Sequence, residues 1–371
     1  MKKKLVTVIG ARPQIIKAAA ISRAVNGRFR DQLEEIIVHT GQHYDANMSQ
    51  VFFDEMAIPE PSYQLNAGSG FHGAQTAKMI DGLEPLLLKE KPDAVLVYGD
   101  TNSTLAAALT ASKLKIPVVH VEAGLRSFDK TMPEEINRVL CDHVSTILFA
   151  PTQTAVNNLS REGFELTNSA PYSFDHPLVC KSGDVMYDNA IYYADRITAK
   201  NKIDGPFILA TIHRDHNTDD TEKLRRLLDA LGKIHRDFGM KILMPLHPRT
   251  KEKISDEIKK GLSISSGIEM IPPVSYLEML ALENQCTLII TDSGGVQKEA
   301  YFFKKPCVIM RPHTEWVEIV SNGNARLAGD SEEKMLDGVK YFLNQPTLTW
   351  PSLFGKGNAA EEMCELILKH I

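Results

Sequence analysis

The 371-residue sequence predicts an α/β protein of two domains, each built on a mainly parallel sheet. Three observations lead there. The chain is too long for one compact core, so two domains are expected. Short apolar runs recur along its length, separated by segments long enough for crossover helices. Polar clusters follow those runs directly, where open parallel sheets carry their chemistry.

The first half contains the runs Leu5–Ile9, Glu35–Val38, Ala94–Val97, Val118–Val121 and Ile147–Phe149. The second contains Phe207–Ala210, Ile242–Pro245, Leu288–Ile290 and Cys307–Met310. Several read through as Val, Ile and Leu without polar alternation, as strands covered on both faces do. Asn102–Lys113 and Thr221–Asp237 are the clearest crossover helices. Pro171–Gly183 is the expected junction, and Asp184–Lys200 beyond it reads as a helix. Pro346–Phe354, with a second proline at Pro351, breaks the pattern before a final helix, Ala359–Ile371. The expected domains are residues 1–175 and 176–352, with the last helix in 353–371.

Hydrophobic residues at 43% and charged residues at 24% are ordinary for a folded soluble protein. With 42 Lys+Arg against 47 Asp+Glu, the net charge of -5 offers no basic nucleic-acid surface. The apolar run after Met1-Lys2-Lys3-Lys4 is too short for a signal peptide or a membrane span and reads as a buried strand. Five scattered cysteines, Cys141, Cys180, Cys286, Cys307 and Cys364, argue against a disulfide framework or a structural zinc site. They fit a reducing cytoplasm.

The most informative segment is Leu288-Ile289-Ile290-Thr291-Asp292-Ser293-Gly294-Gly295-Val296-Gln297-Lys298-Glu299. A strand ends in a Ser-Gly-Gly turn and a helix begins, which aims uncompensated N–H groups at a phosphate or pyrophosphate. Glu299 lies far enough into that helix to reach a hydroxyl-bearing group beyond the phosphates. Seven further clusters stand at equivalent places, and eight together argue for an enzyme with a cleft between its halves. They are Gly10–Pro13, His39–His43, Gly99-Asp100, His120–Gly124, Thr211–Arg214, Pro245–Pro248 and Arg311.

An anionic nucleotide needs donors, and Arg12, Lys17, His213, Arg214 and Arg311 can supply them beside Ser293–Gly295. Lys17 by itself reads as a solvated lysine; its role depends on Arg12 facing the cleft. Asp100, Glu122 and Glu134 are the candidate general acids and bases, their pKa values set apart by proximity and burial. Glu134 taken alone fits simple helix-start capping. His213 and His247 follow second-half strands, and packing within a satisfied network competes as a reading of each, most seriously for His247. His39 and His43 are expected to line the cleft. The carboxylates could bind a metal, but no His-x-x-x-His or oxygen-rich loop accompanies them. No dinucleotide, P-loop or nucleophile-elbow motif is present.

These motifs resemble the non-hydrolysing UDP-N-acetylglucosamine 2-epimerase family over nearly the whole chain. The likeness rests on Gly10–Gln14 with Lys17, His39–His43, Gly99-Asp100, His120–Arg126 and Pro133–Arg138. It continues through His213-Arg214, His247-Pro248, Ser293–Gln297 with Glu299, and Thr314-Glu315. The resemblance implies a GT-B-like pair of Rossmann-type domains, a homodimer, a UDP-sugar substrate, no cofactor and no required metal. It implies that Ser293, Gly294 and Gly295 hold the diphosphate with Arg12 and His213, that Glu299 takes the ribose hydroxyls, and that the last helix returns to the first domain. The implied reaction is anti elimination of UDP across C1 and C2 to a glycal, then re-addition. Asp100, Glu122 and Glu134 would be its acid/base carboxylates. A glycosyltransferase with the same nucleotide site, a hydrolysing epimerase and a silent nucleotide-sugar binder are the alternatives, the last the weakest.

Within the family, enzymes for plain UDP-N-acetylglucosamine read Thr-Arg-Pro-Glu, His-Thr-(Ala/Gly)-Gln-His-Arg, His-Arg-x-Glu-Asn and Thr-Glu-Arg-Pro-Glu. Here the segments are Ala11–Gln14, His39–Asp45, His213–Asn217 and Thr314–Glu318. The first, second and fourth resemble the branch acting on UDP-2,3-diacetamido-2,3-dideoxy-glucuronate, made for bacterial surface polysaccharide. Gln14 in place of a glutamate removes a negative charge that a uronate carboxylate would meet at the entrance. Loss of the basic residue after His43 argues against a second, allosteric nucleotide-sugar site. His216 in place of a glutamate fits neither pattern.

Overall fold

The computed structural model describes residues 2–42, 53–194, 203–246, 248–344 and 347–371. His43, Tyr44, Asp45, His247, Pro346 and the expected helical residues 195–200 lie outside the described residues. The chain forms two compact units, Met1–Ile191 with Ser352–Ile371, and Tyr192–Pro351. The fold is α/β, two mostly parallel sheets flanked by helices, of the GT-B-like two-Rossmann kind.

The first unit carries seven strands: β1 (Lys3–Ile9), β2 (Leu33–His39), β3 (Tyr63–Gln64), β4 (Ala94–Tyr98), β5 (Val118–Val121), β6 (Ile147–Ala150) and β7 (Leu178–Lys181). Their order is β3-β2-β1-β4-β5-β6-β7, all parallel. β4, β5 and β6 are buried along their whole length, which is why they read as unbroken apolar runs. β7 lies inside the stretch expected to join the domains and pairs with β6 from Ile147↔Leu178 to Ala150↔Lys181.

The helix Val185–Ala194 follows β7, and Asn189 Nδ2 donates to the Ile16 carbonyl at 2.6 Å. The final helix, Ala359–His370, packs on the helix Arg12–Asn26 of the same unit. Its first N–H groups, of Ala359 and Ala360, donate to Asp188 at 3.1 and 2.7 Å. A carboxylate at a helix start satisfies orphan donors and suits the helix dipole.

The second unit repeats the plan with β8 (Phe207–Thr211), β9 (Lys241–Pro245), β10 (Ile268–Ile271), β11 (Leu288–Thr291), β12 (Cys307–Ile309) and β13 (Ala325–Leu327). The order is β10-β9-β8-β11-β12-β13, again all parallel. Its core joins strand residues such as Ile208, Met244, Ile290 and Val308 to one face of the helix Thr221–Phe238, through Leu224, Leu227, Leu231 and Ile234. Each such fully buried side chain contributes about 1.5–3 kcal/mol of transfer free energy. Among the described residues no helix is long and apolar enough to cross a membrane.

Each sheet reverses its strand order once, between β1 and β4 and between β8 and β11. There the connections leave in opposite directions and open a crevice at the strand C-termini.

Candidate active site

In the first unit the corner after β1 is closed by Gln14. Its Oε1 accepts the Gly10 and Ala11 N–H groups at 2.8 and 3.2 Å. Its Nε2 donates to the Tyr98 carbonyl at 3.0 Å and to Thr104 Oγ1 at 2.9 Å, tying β1 to β4. Gln14 is 1% exposed. It faces no entrance, so the expectation that its neutrality spares a sugar carboxylate is corrected. Its amide is consumed inside the fold, where both an acceptor and a donor are needed.

Arg12 stands exposed in the first turn of its helix, while Lys17 is buried on the same helix and ion-paired with Glu122. Gly99, just past β4, has φ 63°, and a Cβ there would lie 3.0 Å from Lys17 Nζ and 3.3 Å from Glu122 Oε2. Glycine is therefore favoured by conformation, and a side chain there would press on the Lys17–Glu122 pair. Asp100 follows, held by Arg138, and Asn137 Nδ2 donates to its carbonyl at 3.0 Å. Glu122 has φ 71°, a left-handed conformation that costs a non-glycine residue about 1–2 kcal/mol. The Phe149 carbonyl accepts both the Glu122 and Ala123 N–H groups, at 3.1 and 3.0 Å, and fixes that turn.

Beneath these carboxylates lies a buried charge network. His120 Nε2 donates to the Gly99 carbonyl at 2.8 Å and Nδ1 to Asp142 at 2.7 Å. Acceptors at both nitrogens require the doubly protonated ring. Burial opposes the charge, but contacts with Cys141 and Asp142 outweigh it and hold His120 well above its usual value. Asp142 also accepts the Gly124 N–H at 3.1 Å and Arg126 Nη1 at 2.8 Å. Burial pushes its carboxyl up, and His120 and Arg126 together bring it below the usual range. The network grips Gly99, next to Asp100, and Gly124, two residues past Glu122.

Glu134 and Glu135 divide at the start of the helix Pro133–His143: Glu134 is exposed and Glu135 is buried. Glu135 accepts the Ser127 and Phe128 N–H groups, each at 2.9 Å, and Arg138 Nη1 at 2.7 Å. The expectation that His39 lines a cleft is corrected as well. It is 1% exposed, Nδ1 accepts the Gly41 N–H at 3.1 Å, and burial pushes its pKa down.

In the second unit the switch point joins the ends of β8 and β11. Asp292 is fully buried and accepts four donors from the β8 side. They are the His213 N–H (3.1 Å), the Arg214 N–H (3.0 Å), Asn217 Nδ2 (3.0 Å) and His213 Nδ1 (3.2 Å). Burial raises the Asp292 carboxyl, but His213 and Asn217 hold it below its usual range. His213 is thereby fixed with its side chain 41% exposed.

Ser293 caps the helix Gly294–Phe302, its Oγ accepting the Val296 N–H. A Cβ at Gly294 would meet nothing closer than Trp316 Nε1 at 3.6 Å, with Arg311 and Glu315 at 4.0 Å, so the helix start is open. Arg311 spends its fork on Glu315, at 3.0 and 2.8 Å. Burial raises the Glu315 carboxyl, and that fork lowers it below its usual range. Glu299, in the second turn of that helix, is buried. Among the described residues no group of three or more His, Cys, Asp or Glu could hold a metal ion.

Residues 27–368 match the family described as UDP-N-acetylglucosamine 2-epimerase. This chain belongs to that family. It is 47% identical over 369 residues to a UDP-2,3-diacetamido-2,3-dideoxy-D-glucuronate 2-epimerase of Pseudomonas aeruginosa, covering 99% of each. It is 48% identical over 373 residues to a UDP-N-acetylglucosamine 2-epimerase homolog of Methanococcus maripaludis, covering 98% of this chain and 99% of the relative. The crystal structure of the Methanocaldococcus jannaschii UDP-GlcNAc 2-epimerase in complex with UDP-GlcNAc and UDP superposes with a TM-score of 0.86, at 42% identity and 99% of each chain. The protein is accordingly an enzyme of this epimerase family.

For this epimerase the supporting residues were the ones sequence reading passed over. Asp292 stood inside the motif, but its four donors come from elsewhere in the chain. Glu135 and Arg138 stood beside Glu134, and only the helix rotation shows which glutamate turns inward. His120 and Asp142 are 22 residues apart, and only the fold brings them within hydrogen-bond distance.

Proposed function

We propose that this enzyme is a non-hydrolysing 2-epimerase of UDP-N-acetylglucosamine-type sugars, with UDP-2,3-diacetamido-2,3-dideoxy-glucuronate as its substrate in surface-polysaccharide synthesis. The observation that carries the reading is the pair of restrained carboxylates at the ends of β4 and β5: Asp100 on Arg138, and Glu122 on Lys17. Each cation fixes the direction of its carboxylate, and a positioned carboxylate is the kind of group that removes or returns a proton in the transition state.

One base takes the C2 proton as UDP leaves C1, giving a glycal. A proton then reaches C2 from the opposite face as UDP rejoins C1. Asp100, Glu122 and Glu134 supply acid and base. The Ser293–Gly295 helix start holds the diphosphate with Arg12 and His213, and the charge leaving with UDP is met by N–H dipoles. Lys17, Arg311 and His247 are further proposed substrate-binding residues, and Glu299 is the proposed acceptor of the ribose hydroxyls. The uronate substrate is supported by the Pseudomonas aeruginosa relative and by Thr314-Glu315-Trp316. The five free thiols support a cytoplasmic location. The excess of acidic over basic residues gives no support for a nucleic-acid partner, and a homodimer is the assembly proposed.

Proton NMR in deuterated water, with UDP-N-acetylglucosamine and the diacetamido-glucuronate in separate runs, tests the reading. Deuterium at C2 with the manno product still carrying UDP is the expected result. Absence of exchange with both sugars, despite UDP binding, would overturn it.

A further inference from the structure

On the helix Pro133–His143, Glu135 and Arg138 stand three residues apart, adjoin on one face and are both buried. Arg138 Nη1 donates to Glu135 Oε2 at 2.7 Å. The other edge of the guanidinium meets Asp100, just past β4: Nε donates to Asp100 Oδ2 at 3.1 Å, and Nη2 donates to the same oxygen. One planar cation therefore bridges a buried carboxylate and a partly exposed one.

Glu135 also holds the segment that joins Glu122 to Glu134. Its Oε2 accepts the Ser127 N–H at 2.9 Å and Ser127 Oγ at 3.0 Å, and its Oε1 accepts the Phe128 N–H at 2.9 Å. With Arg138 these make four donors, and the two oxygens of an ionised carboxylate offer about four lone-pair sites. Phe128 has φ 59°, a left-handed conformation that a non-glycine residue keeps where its surroundings fix it. Phe128 is 75% exposed, so backbone bonds rather than packing of its ring hold the turn.

We propose that Glu135 is a positioning residue for the epimerisation: it braces Arg138 against the Ser127–Phe128 turn, and Arg138 in turn sets the direction of the Asp100 carboxylate. The inference rests on the assignment of Asp100 to proton transfer. A carboxylate that moves a proton must lie within hydrogen-bond reach of it, and a small misplacement slows the step. A long arginine side chain aims its partner only when the guanidinium is itself held, and Glu135 ties that group to the backbone of the turn. An amide cannot stand in for Glu135, because its NH2 group would face one of the donors that the carboxylate accepts.

A double-mutant cycle tests it, with kcat and KM measured on UDP-N-acetylglucosamine and the diacetamido-glucuronate and read on the sugar that the wild type turns over. Asp100→Asn is expected to lower kcat about a hundredfold or more. Wild-type kcat in that variant, or turnover of neither sugar by the wild type, would overturn the assignment of Asp100 and the inference with it. Glu135→Gln is expected to lower kcat about tenfold with KM changed less than about twofold, and to lower it no further once Asp100 is Asn. A loss that multiplies with that of Asp100→Asn, or one confined to KM, belongs to a general structural role and would overturn the inference. Glu135→Asp keeps the charge against Arg138 but is one methylene too short to span both the turn and the guanidinium. It is expected to lower kcat about threefold, again only while Asp100 is present, and this arm stands whether or not the Gln variant folds. Wild-type kcat in either Glu135 variant would overturn the role of Glu135 while leaving Asp100 in place.

Discussion

Replacing Asp142 by alanine removes the carboxylate that serves His120 at 2.7 Å, Gly124 N–H at 3.1 Å and Arg126 at 2.8 Å. Arg126 keeps Glu162 as partner, at 2.7 and 2.6 Å, so the uncompensated charge is chiefly the His120 imidazolium. Breaking a buried pair from one side costs about 3–5 kcal/mol. An orphaned buried N–H at Gly124 costs about 1–3 kcal/mol more. Since His120 can relieve part of this by losing its proton, a loss of about 4 kcal/mol is expected, a large fraction of an ordinary domain's stability.

The pH dependence has two arms. The Asp142 carboxyl is lowered, so its contribution is present above the unfolded value of 3.8 and is lost as pH falls through the folded one. His120 is raised, so its contribution is full below 6.5 and is lost as pH rises through the folded value. The deficit should therefore be largest between about pH 4 and 6.5 and persist through neutrality. Urea unfolding followed by far-UV circular dichroism reads it. Both tryptophans, Trp316 and Trp350, lie in the second unit, so their fluorescence follows that unit alone. A variant within about 1 kcal/mol of the wild type across that range would refute the network as described.

Gln14→Glu loses the donors to Tyr98 and Thr104 and is expected to cost about 1–3 kcal/mol in denaturation, with no change in the ratio of kcat/KM for the two candidate sugars. A switch in that ratio would restore Gln14 as a specificity residue. Gly99→Ala places a methyl 3.0 Å from Lys17 Nζ in a left-handed turn; kcat should fall more than about tenfold for about 1–2 kcal/mol of stability. An unaltered kcat would show that the Lys17–Glu122 pair is not held by this contact. The Asp188 carboxyl is pushed up to about 6, first by burial and with Asp184 adding, against the Ala360 and Ala359 N–H groups. Between pH 3.8 and about 6 the folded state keeps a proton that the unfolded chain has lost, so stability falls as pH rises through that window, by about 3 kcal/mol. Asp188→Asn should flatten that fall in a pH series of thermal melts, and an identical pH profile would count against it.

The interior strands were legible because burial on both faces leaves mostly Val, Ile, Leu and Ala in β4, β5 and β11, with Tyr98, His120 and Thr291 the exceptions. The edge strands β3, β7 and β13, and β10 at the other edge of the second sheet, were not read as strands. They have two to four residues and are only partly buried, so no apolar run marks them. The same difference separates the site residues. Ser293–Gly295 announce themselves locally because a helix start needs a cap and a backbone free of side chains. Gln14 misled, because one charge fewer in a motif says nothing of which way the amide points; four internal bonds decide that.

By itself, the sequence determined the α/β class, the family and the strand ends at which chemistry gathers, since those depend on local periodicity and turn residues. The tertiary structure alone decided which of Glu134 and Glu135 turns inward, what Asp292 holds, and that His120 meets Asp142. These are pairings between residues whose distance along the chain bears no relation to their distance in space, and a buried charge or amide takes its role from the partner that the fold delivers.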